Sequence, residues 1–267
     1  MIKTNFSEAQ IKQFADAVIV DGYCIIRDLF DQTTLKKWNE QFLPLLDKHI
    51  EHEGHLKNRG SSRYYVTLPF DGIWNDATIY EHPTVLAVVE QLVGKDFVMC
   101  QLATDTPLRG SDFQAIHRDT PPLFPEWQTE TPPFQLAVNF ALCDVTLENG
   151  PIEIAKATHM LPRDEALALV ESGEKPLEPV PMRLGDVMIR DVRGLHRGTP
   201  NNTDVPRPMV VIGYSRRWLF RPEVSIRIAK DVKAKLSERA RHMLRFNPVV
   251  DSLEDRDETE VYQAFAY

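Results

Sequence analysis

A His-x-Asp triplet, His117-Arg118-Asp119, followed by a distant histidine, His196, constrains this chain more than any other feature. In a β-strand, residues i and i+2 project to the same face, so His117 and Asp119 can point together while Arg118 points away. His196 follows an apparent strand and a turn, so it can complete the set from a second strand. Two imidazoles and one carboxylate bind one side of an iron ion and leave its other side open. The pattern therefore favours a β-barrel or sandwich with an internal metal site.

Composition and charge place the chain among ordinary soluble proteins. Its 267 residues are 43% hydrophobic and 26% charged, which are typical values for a globular domain. The net charge of -8 argues against nucleic-acid partners, which require a basic surface. No apolar run approaches the roughly 20 residues that span a bilayer, and the first residues lack a signal-peptide core. Three cysteines without a Cys-x-x-Cys pair suit a reducing compartment. We therefore expect a cytoplasmic protein without membrane partners.

Helical signals crowd the N-terminal part of the chain, at about residues 1–95. An apolar stripe at helical spacing follows the first cap signal, and turn residues separate the later elements. The predicted elements are a helix with a capping box at Ser7 and Gln10 that stops at Gly22, a strand at Tyr23–Ile26, a helix capped by Thr33 or Thr34, and a helix from Pro83 to about Gly94.

From about residue 96 to 220 the pattern changes to short strands separated by turns. The predicted strands are Phe97–Ala103, Ser111–His117, Phe134–Leu142, Val187–Arg190 and Met209–Tyr214. Such an arrangement fits a jelly-roll sandwich or barrel. The C-terminal segment, about residues 221–267, contains a predicted helix from Asp231 to Leu244. We expect residues 1–267 to form a single domain.

A proline-rich connector, PPLFPEWQTETPP at 121–133, begins two residues after Asp119. Its five prolines exclude a central strand. Two interpretations remain open for it. The connector is either a surface loop packed by its own aromatic side chains, or a wall over the metal site. In the second case Phe124 and Trp127 would contact the substrate.

Five segments of the chain carry a family resemblance. They are DGYCIIRDLF (21–30), IHRDTPP (116–122), ENGPIEIAKATHM (148–160), GDVMIRDVRGLHRGTPNNTDVPRP (185–208) and LSERARHML (236–244). In these segments the chain resembles the phytanoyl-CoA dioxygenase family, whose members are iron(II)- and 2-oxoglutarate-dependent oxygenases. The resemblance implies a mainly β fold with flanking helices, built on a double-stranded β-helix of the jelly-roll or cupin type.

The same resemblance implies roles for four residues. It makes His117, Asp119 and His196 the catalytic iron ligands. It makes Arg207, eleven residues after His196, the partner of the distal carboxylate of 2-oxoglutarate. The planar guanidinium group of an arginine matches a carboxylate with two parallel hydrogen bonds.

Further candidates depend on where the predicted strands lie. The strand around 97–104 should pass near the metal, which would let Gln101 and Thr104 bind 2-oxoglutarate; Met99 should share a strand face with Gln101. Many family members have a serine two residues after the distal histidine, where this chain has Gly198, so Thr199 or a water would take its place. Arg63 and Tyr65, in the segment 60–70, are candidate substrate contacts. For each of these side chains a purely structural role stays open.

The implied reaction consumes dioxygen and 2-oxoglutarate, releases succinate and carbon dioxide, and hydroxylates, desaturates or otherwise oxidises a C–H bond. The carboxylate of Asp119 favours these outcomes over halogenation, because related halogenases replace it with a small residue. The acidic chain favours a small free metabolite over a coenzyme A thioester, and it is compatible with a homodimer. Two rivals remain. A cupin-like metalloenzyme without 2-oxoglutarate would give Arg207 no role, and a catalytically silent binding module would bind no iron.

Overall fold

Two antiparallel sheets with flanking helices form the fold, seen in a computed structural model that describes residues 5–53, 60–127, 130–219 and 225–253. The helices are α1 (Glu8–Asp21), α2 (Gln32–Glu53), α3 (Ala77–Tyr80), α4 (Pro83–Val93), α5 (Arg163–Glu171), α6 (Lys230–Lys235) and α7 (Glu238–Met243). The strands are β1 (Tyr23–Ile26), β2 (Arg63–Thr67), β3 (Val98–Pro107), β4 (Gln135–Ala141), β5 (Ile152–Ala155), β6 (Leu177–Val180), β7 (Val187–Asp191), β8 (His196–Gly198), β9 (Met209–Ser215), β10 (Ile228–Ala229) and β11 (Val249–Val250).

The larger sheet has six strands in the order β1-β7-β4-β9-β3-β2, and each neighbouring pair is antiparallel. A smaller sheet has the order β6-β5-β8. The two-stranded pair β10-β11 is parallel. The described part of the chain is therefore sheet-rich with flanking helices, in agreement with the predicted class of fold. Among the helices that the structure describes, none is long and apolar enough to cross a membrane.

The main hydrophobic core lies between the larger sheet and the helices. Trp38 and Phe42 of α2 and Leu86 of α4 are buried there, and α1 packs along α4 and β1. Phe140 of β4 meets Trp38 with the ring centroids 5.8 Å apart. Side chains from α6 and α7, among them Val232, join the same core. The C-terminal helices thus pack on the same sheet as the N-terminal ones.

The strands of the larger sheet present different residues on their two faces, as the two-residue period of a strand requires. In β4, Leu136, Val138 and Phe140 belong to the main core. Gln135 and Asn139 point the other way and line a cavity. This cavity also receives residues from β5 and β8, so it lies between the two sheets.

A β-bulge in β3 decides which of its side chains reach that cavity. The register of β3 against β9 shifts between Met99 and Gln101, opposite Tyr214 and Gly213. Because the shift inserts one residue, Met99 joins the main core while Gln101 lines the cavity. The prediction that Met99 and Gln101 share a face was wrong.

The predicted strand Ser111–His117 was also wrong, because the segment is irregular and makes one isolated bridge, from His117 to His196. Backbone hydrogen bonds join Gln114 to Gly198 and His117 to His196. The side chain of Gln114 also accepts a hydrogen bond from the Gly198 N–H at 2.9 Å. A side chain that binds the neighbouring backbone displaces the regular ladder.

Helix boundaries follow local capping chemistry. The capping box of Ser7 and Gln10 and the start of α4 at Pro83 are confirmed. The second helix begins one residue before Thr33, and Asp31 accepts a hydrogen bond from the Thr34 N–H at 2.7 Å, so the predicted threonine cap was wrong.

The C-terminal helix predicted from Asp231 to Leu244 is two helices, α6 and α7. The hydroxyl of Ser237 accepts a hydrogen bond from the Ala240 N–H at 2.9 Å and so caps α7. A serine that caps a new helix ends the preceding one, because its own backbone is extended.

Candidate active site

The three predicted metal ligands, His117, Asp119 and His196, lie together. Paired backbone hydrogen bonds of 3.0 and 3.1 Å join His117 to His196, and the two imidazole centroids are 4.3 Å apart. One ligand atom from each of the three residues lies within 4.8 Å of the other two. Within the described parts of the chain, no other set of histidine, cysteine and acidic side chains forms such a cluster. The donor set fits a divalent transition metal.

Both histidines are oriented by backbone carbonyls. Nδ1 of His117 lies 2.8 Å from the carbonyl oxygen of Ala115, and Nδ1 of His196 lies 2.9 Å from that of Gly194. Since a carbonyl only accepts, each Nδ1 carries the proton and donates it. Each Nε2 then presents its lone pair toward the carboxylate, which is the tautomer that a metal ligand requires.

The two carboxylate oxygens of Asp119 have different neighbours. Oδ1 lies 3.8 Å from Nε2 of His117 and 3.5 Å from Nε2 of His196. Oδ2 accepts a hydrogen bond from Nη2 of Arg190 at 2.7 Å. Burial alone would raise the pKa of Asp119, but the positive charge of Arg190 lowers it well below its usual range. Asp119 is therefore anionic at neutral pH.

Arg190 is itself held in place. Its Nε donates to Oδ1 of Asn139 at 3.1 Å, and the amide of Asn139 donates to the Val210 carbonyl at 3.3 Å. The hydrogen bonds thus run from the backbone of β9 through β4 and β7 to Asp119. Such outer hydrogen bonds fix the orientation of a ligand and tune its affinity for the metal.

Two more arginines flank the cluster and face away from it. Arg118 donates to Glu130 at 3.0 Å, and Arg193 donates to the same carboxylate at 3.2 Å. Arg193 also binds Asp191 at 2.7 Å. All three ion pairs are buried. They tie the end of the proline-rich connector to the two chain segments that carry the predicted ligands.

Arg207 is buried and lines the same cavity as the three ligands. Its Nη2 donates to the carbonyl of Gly150 at 2.5 Å, while its Nε has no hydrogen-bond partner among the described residues. Burial lowers the pKa of Arg207 to about 10 against the raising effect of Asp105. A buried donor without a partner is costly, so the site suits an anionic ligand.

The cavity contains about 730 Å³ of space, counting its open mouth. Polar groups surround the metal cluster and apolar side chains fill the walls between them. The lining residues are Tyr65, Gln101, Asp105, Gln114, His117, Asp119, Gln135, Ala137, Asn139, Ile152, Met188, Arg190, Val192, His196, Gly198, Arg207, Met209 and Val211.

Comparison with known proteins agrees with this site. A family model described as phytanoyl-CoA dioxygenase (PhyH) matches residues 20–209. The chain belongs to the phytanoyl-CoA dioxygenase family. It is therefore an iron- and 2-oxoglutarate-dependent oxygenase, and the matched range contains the metal cluster and Arg207.

Solved structures share the fold at low sequence identity. The non-haem α-ketoglutarate-dependent epimerase SnoN from nogalamycin biosynthesis is 23% identical, with a TM-score of 0.58 over 79% of this chain and 84% of that one. HygX from Streptomyces hygroscopicus, solved with nickel and 2-oxoglutarate, is 16% identical, with a TM-score of 0.59 over 88% and 94%. The carbocyclase SnoK, also from nogalamycin biosynthesis, is 19% identical, with a TM-score of 0.57 over 79% and 85%. At such identities the likeness is one of fold.

The other predicted site residues of this family member divide into two groups. Gln101 and Tyr65 line the cavity, and the amide of Gln101 donates to the Tyr65 hydroxyl. Thr104 lies on the alternate face of β3, is fully buried and does not line the cavity. Phe124 and Trp127 stack with centroids 4.9 Å apart, remain exposed and lie outside the cavity lining.

Gly198 is where the chain departs from many phytanoyl-CoA dioxygenase sequences, and the structure gives a reason. A Cβ at Gly198 would lie 2.5 Å from Nη1 of Arg63 and 2.7 Å from Oε1 of Gln114. Arg63 is buried and binds Asp105 at 2.9 Å and the Thr199 carbonyl at 2.6 Å. The Thr199 hydroxyl donates to the backbone of residue 151, away from the cavity lining. Arg63 and Gln114 thus fill the space that a serine side chain would need.

Sequence reasoning missed the polar side chains that surround the ligands, chiefly Arg190, Asn139, Gln135 and Asp105. A signal for them was present. Gln135, Asn139 and Arg190 interrupt β4 and β7, whose other residues are mostly apolar, and both strands are fully buried. A polar residue in a strand that is buried on both faces indicates an internal polar site.

Proposed function

We propose that this enzyme oxidises a C–H bond of a small-molecule metabolite, by hydroxylation, desaturation or a related outcome, with release of succinate and carbon dioxide. The supporting observation is that Arg207 lines the cavity of the metal cluster with an unpartnered Nε. We further propose that the six- and three-stranded sheets form the double-stranded β-helix implied by the family. Solved structures with a similar fold include an epimerase and a carbocyclase, so the reaction differs among proteins that share the fold.

In this proposal His117, Asp119 and His196 would hold iron(II). Bound iron would activate dioxygen and couple the decarboxylation of 2-oxoglutarate to oxidation of the substrate. Arg190 keeps one Asp119 oxygen engaged, so the other is directed at the two imidazoles. The carbonyls of residues 115 and 194 keep both Nε2 lone pairs directed at the metal position.

Arg207 would orient 2-oxoglutarate through its distal carboxylate. Because Nη2 is committed to the Gly150 carbonyl, the rest of the guanidinium group is the part available to the cosubstrate. Burial strengthens this contact, since water does not screen the charge. Gln101, with its Tyr65 partner, would add a polar contact from the bulged strand β3.

The test is succinate formation from 2-oxoglutarate under air, with iron(II) and a reductant, for the unaltered enzyme and two variants. We expect Arg207→Ala to raise the KM for 2-oxoglutarate by about 10–100-fold, because a buried charged hydrogen bond is lost. Arg109→Ala is the matched control, since Arg109 is exposed and pairs with Asp204 at the surface. Equal activity of the Arg207 and Arg109 variants would contradict the role of Arg207 and favour an oxygenase or isomerase that does not use 2-oxoglutarate.

A further inference from the structure

Arg190 is a cation inside the cavity that the cosubstrate does not account for. It lies in the buried strand β7, is 8% exposed and lines the cavity beside the metal cluster. Nε and Nη2 form one edge of its guanidinium group, and they bind Asn139 and Asp119. Nη1, on the other edge, has no hydrogen-bond partner among the residues that the structure describes.

If the proposed function holds, the charges in the cavity indicate that this second edge of Arg190 binds an anion. Arg63 is paired with Asp105 at 2.9 Å. Arg207 would be paired with the distal carboxylate of 2-oxoglutarate. Asp119 and the other carboxylate of 2-oxoglutarate would neutralise the two charges of iron(II). Arg190 would share the single charge of Asp119 with the metal, so the cavity as a whole would keep one net positive charge, and a buried charge without a counterion is unfavourable.

The surroundings of Arg190 favour a polar ligand with a carbon skeleton. The amide side chains of Gln101, Gln135 and Asn139 line the same cavity and make this part of it polar. Met188 and Met209, with neighbouring valines, supply apolar walls. A flat anion of one charge matches the Nη1–Nη2 edge, because a carboxylate can accept two parallel hydrogen bonds from an arginine.

We infer that the primary substrate is a small carboxylic acid and that Arg190 binds its carboxylate through the Nη1–Nη2 edge. Arg190 would then have two tasks, since it also orients the ligand Asp119. The inference deepens the proposed function by naming the chemical class of its substrate, and it rests on that function.

A binding experiment on the unaltered protein tests the inference without turnover. The protein is loaded with nickel, which replaces iron without redox chemistry, and saturated with 2-oxoglutarate. Thermal shift, followed by calorimetry, then compares monocarboxylic, hydroxy and amino acids with their primary amides, which have the same shape but no charge. We expect one or more acids to bind at least about tenfold more tightly than their amides. Amides that bind as tightly as acids, or a panel without any binding acid, would overturn the inference.

Arg190→Lys supplies the second test. Lysine keeps a cation near Asp119 but lacks the second edge, so we expect at least about tenfold weaker binding of the selected acid. Nickel content and affinity for 2-oxoglutarate are measured on the same samples. Unchanged acid binding, or a loss confined to 2-oxoglutarate, would overturn the inference. Failure of the unaltered protein to bind 2-oxoglutarate would instead overturn the proposed function.

Discussion

The two faces of the six-stranded sheet differ in what they do, although the same strands build them. The helix side of β4 presents Leu136, Val138 and Phe140 to the main core, while its cavity side presents Gln135 and Asn139. Apolar burial on the first face supplies the free energy of folding. The second face lines the cavity with polar groups. Stability and chemistry are thus separated by a single residue step along a strand.

The largest effect should come from the cavity side, through His196→Ala. Loss of one ligand should abolish stable iron binding and reduce turnover by more than the roughly 10–100-fold that loss of an outer hydrogen bond costs. Metal analysis and succinate formation check this. His242→Ala is the control, because His242 is exposed and pairs with Asp96. Iron retained in full by His196→Ala would contradict its role as a ligand.

On the helix side, Phe140→Ala should cost about 3–5 kcal/mol of unfolding free energy, because it leaves a cavity in the core. Phe140 contacts the rings of Phe30 and Trp38 at 5.0 and 5.8 Å. Denaturant unfolding measures the loss. The exposed Phe113 is the matched position, and Phe113→Ala should change stability by less than about 0.5 kcal/mol. Similar costs at both positions would mean that the helix face does not dominate stability.

Gly198→Ala tests the contact between the small sheet and Arg63. The new Cβ would stand 2.5 Å from Nη1 of Arg63, so the buried guanidinium group of Arg63 and its contact with Asp105 must shift. We expect a loss of about 1–3 kcal/mol in unfolding free energy, as for other overpacked sites. Gly173→Ala is a poor control because its φ is positive, whereas the exposed Ser172→Ala is adequate. A neutral Gly198→Ala would show that Arg63 has room to move.

Asn139→Ala should affect the cavity face of the sheet more than the core face. The substitution removes the hydrogen bond between Asn139 and Arg190 and leaves the apolar side chains of the core in place. We expect iron affinity to fall by about 10–100-fold and unfolding free energy to fall by about 1–3 kcal/mol. Competition with a metal chelator measures the first, and denaturant unfolding the second. Asn202→Ala, at an exposed position, is the control. Unchanged iron affinity would show that Arg190 does not need Asn139 to hold Asp119.

Trp127→Ala should have the smallest effect on stability, within about 0.5 kcal/mol, because the side chain is 60% exposed. If the proline-rich connector contacts the substrate, the KM for that substrate rises while the KM for 2-oxoglutarate stays constant. Trp218→Ala, at a similarly exposed tryptophan, is the control. Unchanged kinetics would identify the connector as a surface loop.

The sequence predicted the three clustered residues more accurately than it predicted the backbone structure around them. The structure brings His117, Asp119 and His196 together as predicted, because a metal site needs specific residue types at a specific spacing; their role as iron ligands stays a prediction. Yet the segment before His117 is not the predicted strand, because the Gln114 side chain binds the backbone of the small sheet. The two residues of this contact are 84 positions apart in the sequence, so a local sequence pattern cannot predict it.

The polar wall of the cavity was missed for a related reason. Arg190 and Asn139 look out of place only when both faces of their strands are known to be buried. Alternation predicts one solvent-facing side, and a polar residue is ordinarily assigned to it. The bulge between Met99 and Gln101 adds a further limit, because a one-residue register shift exchanges the two faces of a strand.

The most direct test of 2-oxoglutarate binding is an anaerobic titration of the iron(II)-loaded enzyme with 2-oxoglutarate, monitored by the weak visible absorption band of the iron-bound cosubstrate. We expect a saturable band with one 2-oxoglutarate per protein, absent in His196→Ala and requiring higher concentrations in Arg207→Ala. Iron that is demonstrably bound but gives no band would contradict the proposed binding of 2-oxoglutarate in this cavity.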